Sequence, residues 1–268
     1  MLFSQENLKR IIVAVIALPI FYLYITKLPP VFFPVLLTLV SALAQMEFHA
    51  MYKTDRWLSF TGIISGILLF VSSLFNDGYS IFATGMIFIF SFMLMSSTRL
   101  FLVRNPSSSL RDISPAVTGF LYIPNLLVTQ WYLRLQGHEW ILFLYGCVWA
   151  SDSLAYYIGK GIGKRKLYKE VSPNKTVAGA FGSVIGGILS ALLLGGLMLT
   201  DIAIPALIAM GSAIGSVTIV GDLVESMFKR DAGVKDSGSF IPGHGGILDK
   251  IDGVLFAGPV LYWITLIL

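Results

Sequence analysis

Charge is what this chain has least of. Asp, Glu, Lys and Arg together make up 13% of its 268 residues, against about 25% in a soluble domain. Hydrophobic residues make up 56% and the mean hydropathy is +0.79. No soluble domain of this length could hide so much apolar surface, so the expected solvent is lipid. Cysteine is almost absent too. The single Cys147 excludes an intramolecular disulfide, and its place in an apolar run reads as a small buried residue. Also missing is a signal-peptide cleavage site. Lys9 and Arg10 precede the apolar run Ile11–Ile25, but Pro29 and Pro30 end it without a small-x-small pattern, which predicts a retained first span. The period-2 alternation of a membrane barrel is absent, as are internal repeats and low-complexity tracts.

What is present is a series of apolar runs of spanning length. A helix needs about 20 apolar residues to cross the hydrocarbon core, and the chain offers roughly nine such runs: 11–27, 31–50, 57–75, 79–98, 116–134, 139–158, 177–199, 202–227 and 253–268. Backbone amides in lipid must be satisfied within the segment, so the expected fold is an all-α polytopic membrane protein. With that count, all of the 19 Lys and Arg residues except Lys27 and Arg134 fall on the N-terminal side of the bilayer. The positive-inside rule then makes the N-terminus and the large polar loops cytoplasmic and the C-terminus external. The basic balance of +4 reads as topology, not as a nucleic-acid surface. The expected division is residues 1–115, with four spans and a polar connector at Asn105–Pro115, and residues 116–268, with five spans and the cytosolic loops 159–176 and 226–252. Gly179, Gly182, Gly186 and Gly187 fall near helical spacing and suit close helix packing. Trp57, Trp131, Trp140 and His49 sit near span ends and read as interfacial residues.

Ionisable side chains in a membrane need a partner or a purpose. Asp152 lies in the sixth run; Asp222, Glu225 and Ser226 share one helical face near the cytoplasmic end of the eighth. One such acid alone would be an ordinary ion-pair partner. The following loop adds Lys229, Arg230, Lys235, Asp236, His244, Asp249, Lys250 and Asp252 beside apolar helices. Gly243, Gly245 and Gly246 flank His244 and let backbone approach a ligand closely. Carboxylates that hold Mg²⁺, cations that offset phosphate charge and a glycine turn are the needs of nucleotide phosphoryl chemistry. Upstream, Gly159–Lys166 lacks the spacing of a phosphate loop and follows a helix; it reads mainly as a topological charge cluster. Ser172-Pro173-Asn174-Lys175-Thr176 reads as a helix start, with Ser172 as N-cap and Pro173 at the first position. Its free amides and Lys175 would form an anion site.

These residues resemble the signature of the phosphatidate cytidylyltransferase (CDP-diacylglycerol synthase) family. The match runs from Ser226 through Lys229-Arg230, Lys235-Asp236 and His244-Gly245-Gly246 to Asp249-Lys250-Ile251-Asp252. Lys250 stands where the family usually has Arg, which keeps the charge but loses a bidentate phosphate contact. Asp152 with Ala155-Tyr156, and Ser172-Pro173-x-Lys175-Thr176, resemble the family's second conserved region; Ala178 replaces its usual Glu or Gln. The resemblance covers roughly residues 140–268. It implies Mg²⁺-dependent transfer of CMP from CTP (or dCTP) to phosphatidic acid, in the inner membrane at its cytoplasmic face. For that reaction the expected site residues are Asp222, Asp249, Lys229, Lys235 and His244 for catalysis. For the metal they are Asp222, Asp249 and Asp252, with a second cation suggested by the surplus of carboxylates. Lys175, Ser172, Thr176, Arg230, Ser226, Asp236, Gly245, Gly246, Lys250 and Asp152 are expected around the substrates. No nucleic-acid partner is expected, and a homodimer is the default oligomer.

The competing readings are a CTP-dependent polyprenol or lipid kinase, an ether-lipid cytidylyltransferase and an ion-coupled transporter. A transporter should show broken helices paired between two related halves, whereas here the polar residues crowd into the C-terminal half. Asp252-Gly253 lacks the following Ala-Arg of the CDP-alcohol phosphotransferases.

Overall fold

The computed structural model describes residues 18–75, 81–103, 105–238 and 245–268. They form helices and one short antiparallel hairpin. Helix α1 is described over residues 18–27. It is followed by α2 (Phe32–Met51), α3 (Arg56–Ser73), α4 (Ile81–Val103), α5 (Ser109–Tyr122), α6 (Pro124–Gln136) and α7 (His138–Ile162). The hairpin β1 (Lys166–Tyr168) and β2 (Ser172–Thr176) comes next, then α8 (Val177–Met198), α9 (Ile204–Asp231) and α10 (Leu248–Thr265). Among the described residues 6 helices are long and apolar enough to cross a membrane: α2, α3, α4, α7, α8 and α9. The other expected spans fall on α1, described only in part, on α5 with α6, and on α10, whose first turn and a half carries Asp249, Lys250 and Asp252.

The expected span 116–134 is corrected to two helices. Ile123 (φ −100°, ψ −74°) breaks the run, and Pro124 opens α6 at its first position. Proline has no amide to continue the ladder, so it ends one helix and starts the next. With 14 and 13 residues, each piece is about 20 Å long, too short to cross alone. The connector expected at Asn105–Pro115 is shorter as well: α5 begins at Ser109, straight after a left-handed Ser108 (φ 61°). Asp112 in its first turn binds Arg99 of α4 at 2.8 Å, and this arginine is buried. His49 and Trp131 are not interfacial. His49 is buried with Nδ1 3.0 Å from Ser59 Oγ, and the buried Trp131 donates Nε1–H to the Ser73 carbonyl at 3.2 Å.

Helices α7, α8, α9 and α10 pack in chain order, and small residues set how closely they meet. A Cβ at Gly186 would lie 2.5 Å from the Ala150 carbonyl oxygen of α7, and one at Gly211 of α9 would lie 2.5 Å from the Gly187 oxygen. Glycine is therefore required at these crossings, in keeping with the helical spacing of the α8 glycines. Ser183 Oγ donates to the Gly215 carbonyl at 2.8 Å and closes the α8–α9 contact. Cys147 lies fully buried in α7. Helix α10 turns back against α9 and α6, while α2 packs on α3 and α6. Its polar first turn then faces the polar last turns of α7 and α9, where the site forms.

Candidate active site

Helix α9 runs on to Asp231, one turn beyond the expected apolar run. Lys229 and Arg230 are therefore helical residues, and Asp222, Glu225, Ser226 and Lys229 all project from one rigid rod. The hairpin overturns the expected helix start at Ser172-Pro173. Ser172–Thr176 is a strand, and α8 begins at Val177 with Thr176 as its N-cap, whose Oγ1 accepts from the Gly179 amide at 3.1 Å. A residue before proline prefers extended backbone, and pairing of Lys166 with Thr176 and of Tyr168 with Ser172 satisfies the strand. The consequence is local: Lys175 reaches the site from a strand, and Thr176 rather than Ser172 caps the helix that follows.

The ends of α7, β2, α9 and α10 enclose a cavity of about 820 Å³. Asp152 and Lys160 line it from α7, Lys166, Asn174, Lys175 and Thr176 from the hairpin, and Asp222, Glu225 and Lys229 from α9. Asp236, Asp249, Lys250 and Asp252 close it from the loop and from α10. Carboxylates and lysines thus converge in one volume on the bundle's end, beside apolar side chains such as Leu167 and Ile219.

Within it the charges pair unevenly. Lys175 Nζ lies 2.6 Å from Asp222 Oδ2. Lys229 Nζ bridges Glu225 Oε2 and Asp249 Oδ1, each at 2.6 Å. Asp249 also accepts hydrogen bonds on Oδ2 from the Gly246 amide at 2.8 Å and from the Ser237 amide at 3.2 Å. Burial pushes the Asp249 carboxyl up, but the hydrogen bonds from Lys229 and Gly246 outweigh it and hold the group at about 2. Asp252 accepts from the Gly253 amide at 2.9 Å. Among the described residues neither Asp252 nor Asp152 has a basic side chain within ion-pair distance.

Oxygens of Asp222, Glu225 and Asp252 lie within 4.8 Å of one another. Glu225 Oε1 is buried and has no hydrogen-bond partner among the described residues. An all-oxygen donor set with an unsatisfied buried carboxylate oxygen suits a hard divalent cation. Asp249 is not part of this group; Lys229 and the loop amides hold its oxygens. Glu225, three residues from Asp222 on the same face, is the member to which sequence reasoning gave no role, although its spacing was visible.

Other expected residues lie at the margin. Ser226 Oγ is 3.5 Å from Asp222 Oδ1. Arg230 donates to the Val171 and Val234 carbonyls at 3.3 and 3.1 Å, tying the hairpin turn to the end of α9. Lys235 is exposed and, like Ser172 and Arg230, does not line the cavity. Gly245 has φ +84°, a conformation that favours glycine, and Gly246 is buried against Glu47 and Ser237. His244 lies outside the described residues. Lys160 and Lys166, read as topological charges, line the cavity, Lys160 from the last turn of α7 and Lys166 from the hairpin.

Known proteins carry related sequences. The phosphatidate cytidylyltransferase of Bacillus subtilis is 34% identical over 275 residues, covering 97% of each chain. That of Staphylococcus epidermidis is 33% identical over 261 residues, covering 94% of this chain and 96% of its own. Over a shorter stretch of 127 residues, 44% of this chain, the Haemophilus influenzae phosphatidate cytidylyltransferase is 44% identical. The sequence pattern of the cytidylyltransferase family matches residues 8–268, so the chain belongs to that family.

Proposed function

We propose that this chain makes CDP-diacylglycerol: it transfers CMP from CTP to phosphatidic acid and releases pyrophosphate. The observation that carries this reading is the cavity itself, in which lysines from α7, the hairpin, α9 and α10 face carboxylates from α7, α9 and α10. A triphosphate needs both charges, lysines for its oxygens and carboxylates for its metal. The Bacillus subtilis and Staphylococcus epidermidis relatives, which match nearly the whole chain, are phosphatidate cytidylyltransferases, which supports phosphatidic acid as the acceptor.

Asp222, Glu225 and Asp252 would hold Mg²⁺, with Asp152 and Asp236 as further carboxylates lining the cavity for a second cation. When bound, the ion offsets charge on the phosphate oxygens. Lys175 and Lys229 then exchange their carboxylate partners for phosphate oxygens, and Lys160, Lys166 and Lys250 hold the rest of the triphosphate. A phosphate oxygen of phosphatidic acid attacks the α-phosphorus in line. The new P–O bond joins the lipid phosphate to CMP, and the bond to the β-phosphate oxygen breaks with its electron pair. No protein nucleophile is required, so catalysis consists of positioning and charge stabilisation. In this reading the cavity lies at the cytoplasmic face of the inner membrane with the N-terminus on that side, an orientation that the basic loops support. There a soluble nucleotide and a lipid headgroup reach the same carboxylates.

The test is to incubate detergent-solubilised protein with labelled CTP, Mg²⁺ and separate lipid acceptors. CDP-diacylglycerol and pyrophosphate from phosphatidic acid are expected. Phosphorylated lipid with free CDP would show a kinase instead, and turnover of an ether-lipid acceptor alone would move the substrate class.

A further inference from the structure

Helix α10 carries Asp249 and Asp252 in its first turns, yet its own sequence provides no cap. Ile247 is at the N-cap position and has no side chain able to accept from the free amides. The missing acceptor comes from the other half of the chain. Glu47, one turn before the end of α2, accepts from the Ile247 amide on Oε1 and from the Leu248 amide on Oε2, both at 2.9 Å. Its Oε2 also lies 3.1 Å from Ser237 Oγ. The fit depends on small neighbours: a Cβ at Gly238 would come within 2.7 Å of Glu47 Oε1. A Cβ at Gly246 would collide with Glu47 Oε2.

The contact continues into the cavity. Ser237 Oγ is 3.1 Å from Asp249 Oδ2, and the Ser237 amide donates to the same oxygen. Asp249 in turn binds Lys229, and Lys229 binds Glu225. Five residues therefore connect α2 to the carboxylate group through contacts of hydrogen-bond length. Helix α2 also holds the other end of the loop, because Tyr52 Oη donates to Asp231 Oδ2 at 2.9 Å where α9 stops. A carboxylate at a helix N-terminus adds a favourable charge interaction to its two hydrogen bonds.

We propose that Glu47 is a positioning residue of the reaction: it caps α10 across the chain and sets, through Ser237 and Asp249, where the α10 carboxylates stand. This rests on the function proposed above. Glu47 does not line the cavity, so its effect passes through the first turn of α10.

The experiment compares full-length wild type with Glu47→Gln, Glu47→Asp and Ser237→Ala in detergent. Glutamine turns an amide NH₂ toward the Leu248 amide or Ser237, so the clamp loses an acceptor at unchanged size. In Glu47→Gln the Mg²⁺ half-saturation is expected to rise about 10-fold or more, within the 10- to 100-fold typical of partners that orient metal ligands. Glu47→Asp keeps the charge and should recover part of this. A merely structural role would lower the yield of active protein but leave the half-saturation at the wild-type value, and that result overturns the proposal. A readout independent of activity is hydrogen exchange: the Ile247 and Leu248 amides should exchange faster in Glu47→Gln, and unchanged exchange there also overturns it. Ser237→Ala serves if Glu47→Gln does not fold; it removes the hydroxyl that stands between Glu47 and Asp249 and keeps the Ser237 amide, and wild-type Mg²⁺ dependence in it refutes the relay through that hydroxyl. Failure of wild type to use phosphatidic acid would count against the proposed function, while the exchange result still decides the clamp.

Discussion

Lys175 Nζ lies 2.6 Å from Asp222 Oδ2, with both side chains only partly exposed. The contact joins strand β2 to helix α9 across the mouth of the cavity. A lysine at this distance stabilises the carboxylate and stands ready to pair with an incoming phosphate oxygen. Because it is carried on a hairpin and not on a spanning helix, its position depends on the pairing of β1 with β2.

Lys175→Met should therefore weaken nucleotide binding. Truncating one member of a half-buried charge pair costs about 2 kcal/mol or more, roughly 30-fold in an affinity. The KM for CTP should rise by that order, while Lys175→Arg, which keeps the charge, should stay closer to wild type. Initial rates over a CTP titration at saturating Mg²⁺ measure this. An unchanged KM in Lys175→Met would remove Lys175 from the nucleotide site.

Asp252 is in a different position, because among the described residues no cation pairs with it although Asp222 and Glu225 crowd it. Like charges that close are unfavourable unless a cation or a proton joins them. Asp252→Asn should relieve that repulsion in the ion-free protein while removing a metal donor. The expected outcome is a thermal midpoint no lower than wild type without Mg²⁺, together with a Mg²⁺ half-saturation raised about 10-fold or more. A lower midpoint with normal Mg²⁺ dependence would make Asp252 a structural residue.

Much of this was legible in the sequence, for reasons specific to each element. Helices α2, α3, α4, α7, α8 and α9 announce themselves because lipid leaves a spanning backbone no other choice. The gathering of Asp222, Lys229, Asp249 and Asp252 followed from an apolar chain that suddenly becomes polar. The break at Ile123–Pro124 was hidden because hydropathy continues smoothly across it; only the missing amide of Pro124 marks it. The strand Ser172–Thr176 was hidden because serine and proline also begin helices, and the pairing partner Lys166–Tyr168 lies in a stretch that reads as charge alone. Glu47 has no spacing signal. Its one mark in the sequence is a carboxylate inside an apolar run, and its partners Ile247 and Leu248 are reached only through the tertiary fold.

The pair Arg99–Asp112 should show an asymmetry that follows from burial. Arg99 has a side chain only 4% exposed while that of Asp112 is 38% exposed. Among the described residues, Asp112→Ala leaves a buried guanidinium held by the Ser107 carbonyl at 2.9 Å. Arg99→Met leaves a carboxylate that water can reach. Removing the partner of a buried charge costs about 3 kcal/mol at full burial, less here because water reaches one side. Asp112→Ala should thus lower the thermal midpoint more than Arg99→Met. The reverse order, measured by thermal unfolding in the same detergent, would show that Arg99 is not held mainly by Asp112.

Packing of α8 gives the last test, and it separates scaffold from chemistry. Gly186 meets the Ala150 carbonyl of α7 two residues before Asp152, so a side chain there must push α7 away from α8. Gly196, on the same helix, has nothing within 4 Å of a Cβ. Overpacking a closed contact typically costs about 1–3 kcal/mol, whereas glycine to alanine at an open helical site gains about 0.5–1 kcal/mol from reduced chain entropy and better propensity. Gly186→Val should lower the thermal midpoint and reduce turnover, since Asp152 moves with α7. Gly196→Ala should raise the midpoint slightly with turnover intact. Equal midpoints for the two variants would mean that α7 and α8 do not touch through Gly186, and the cavity wall they form would have to be redrawn.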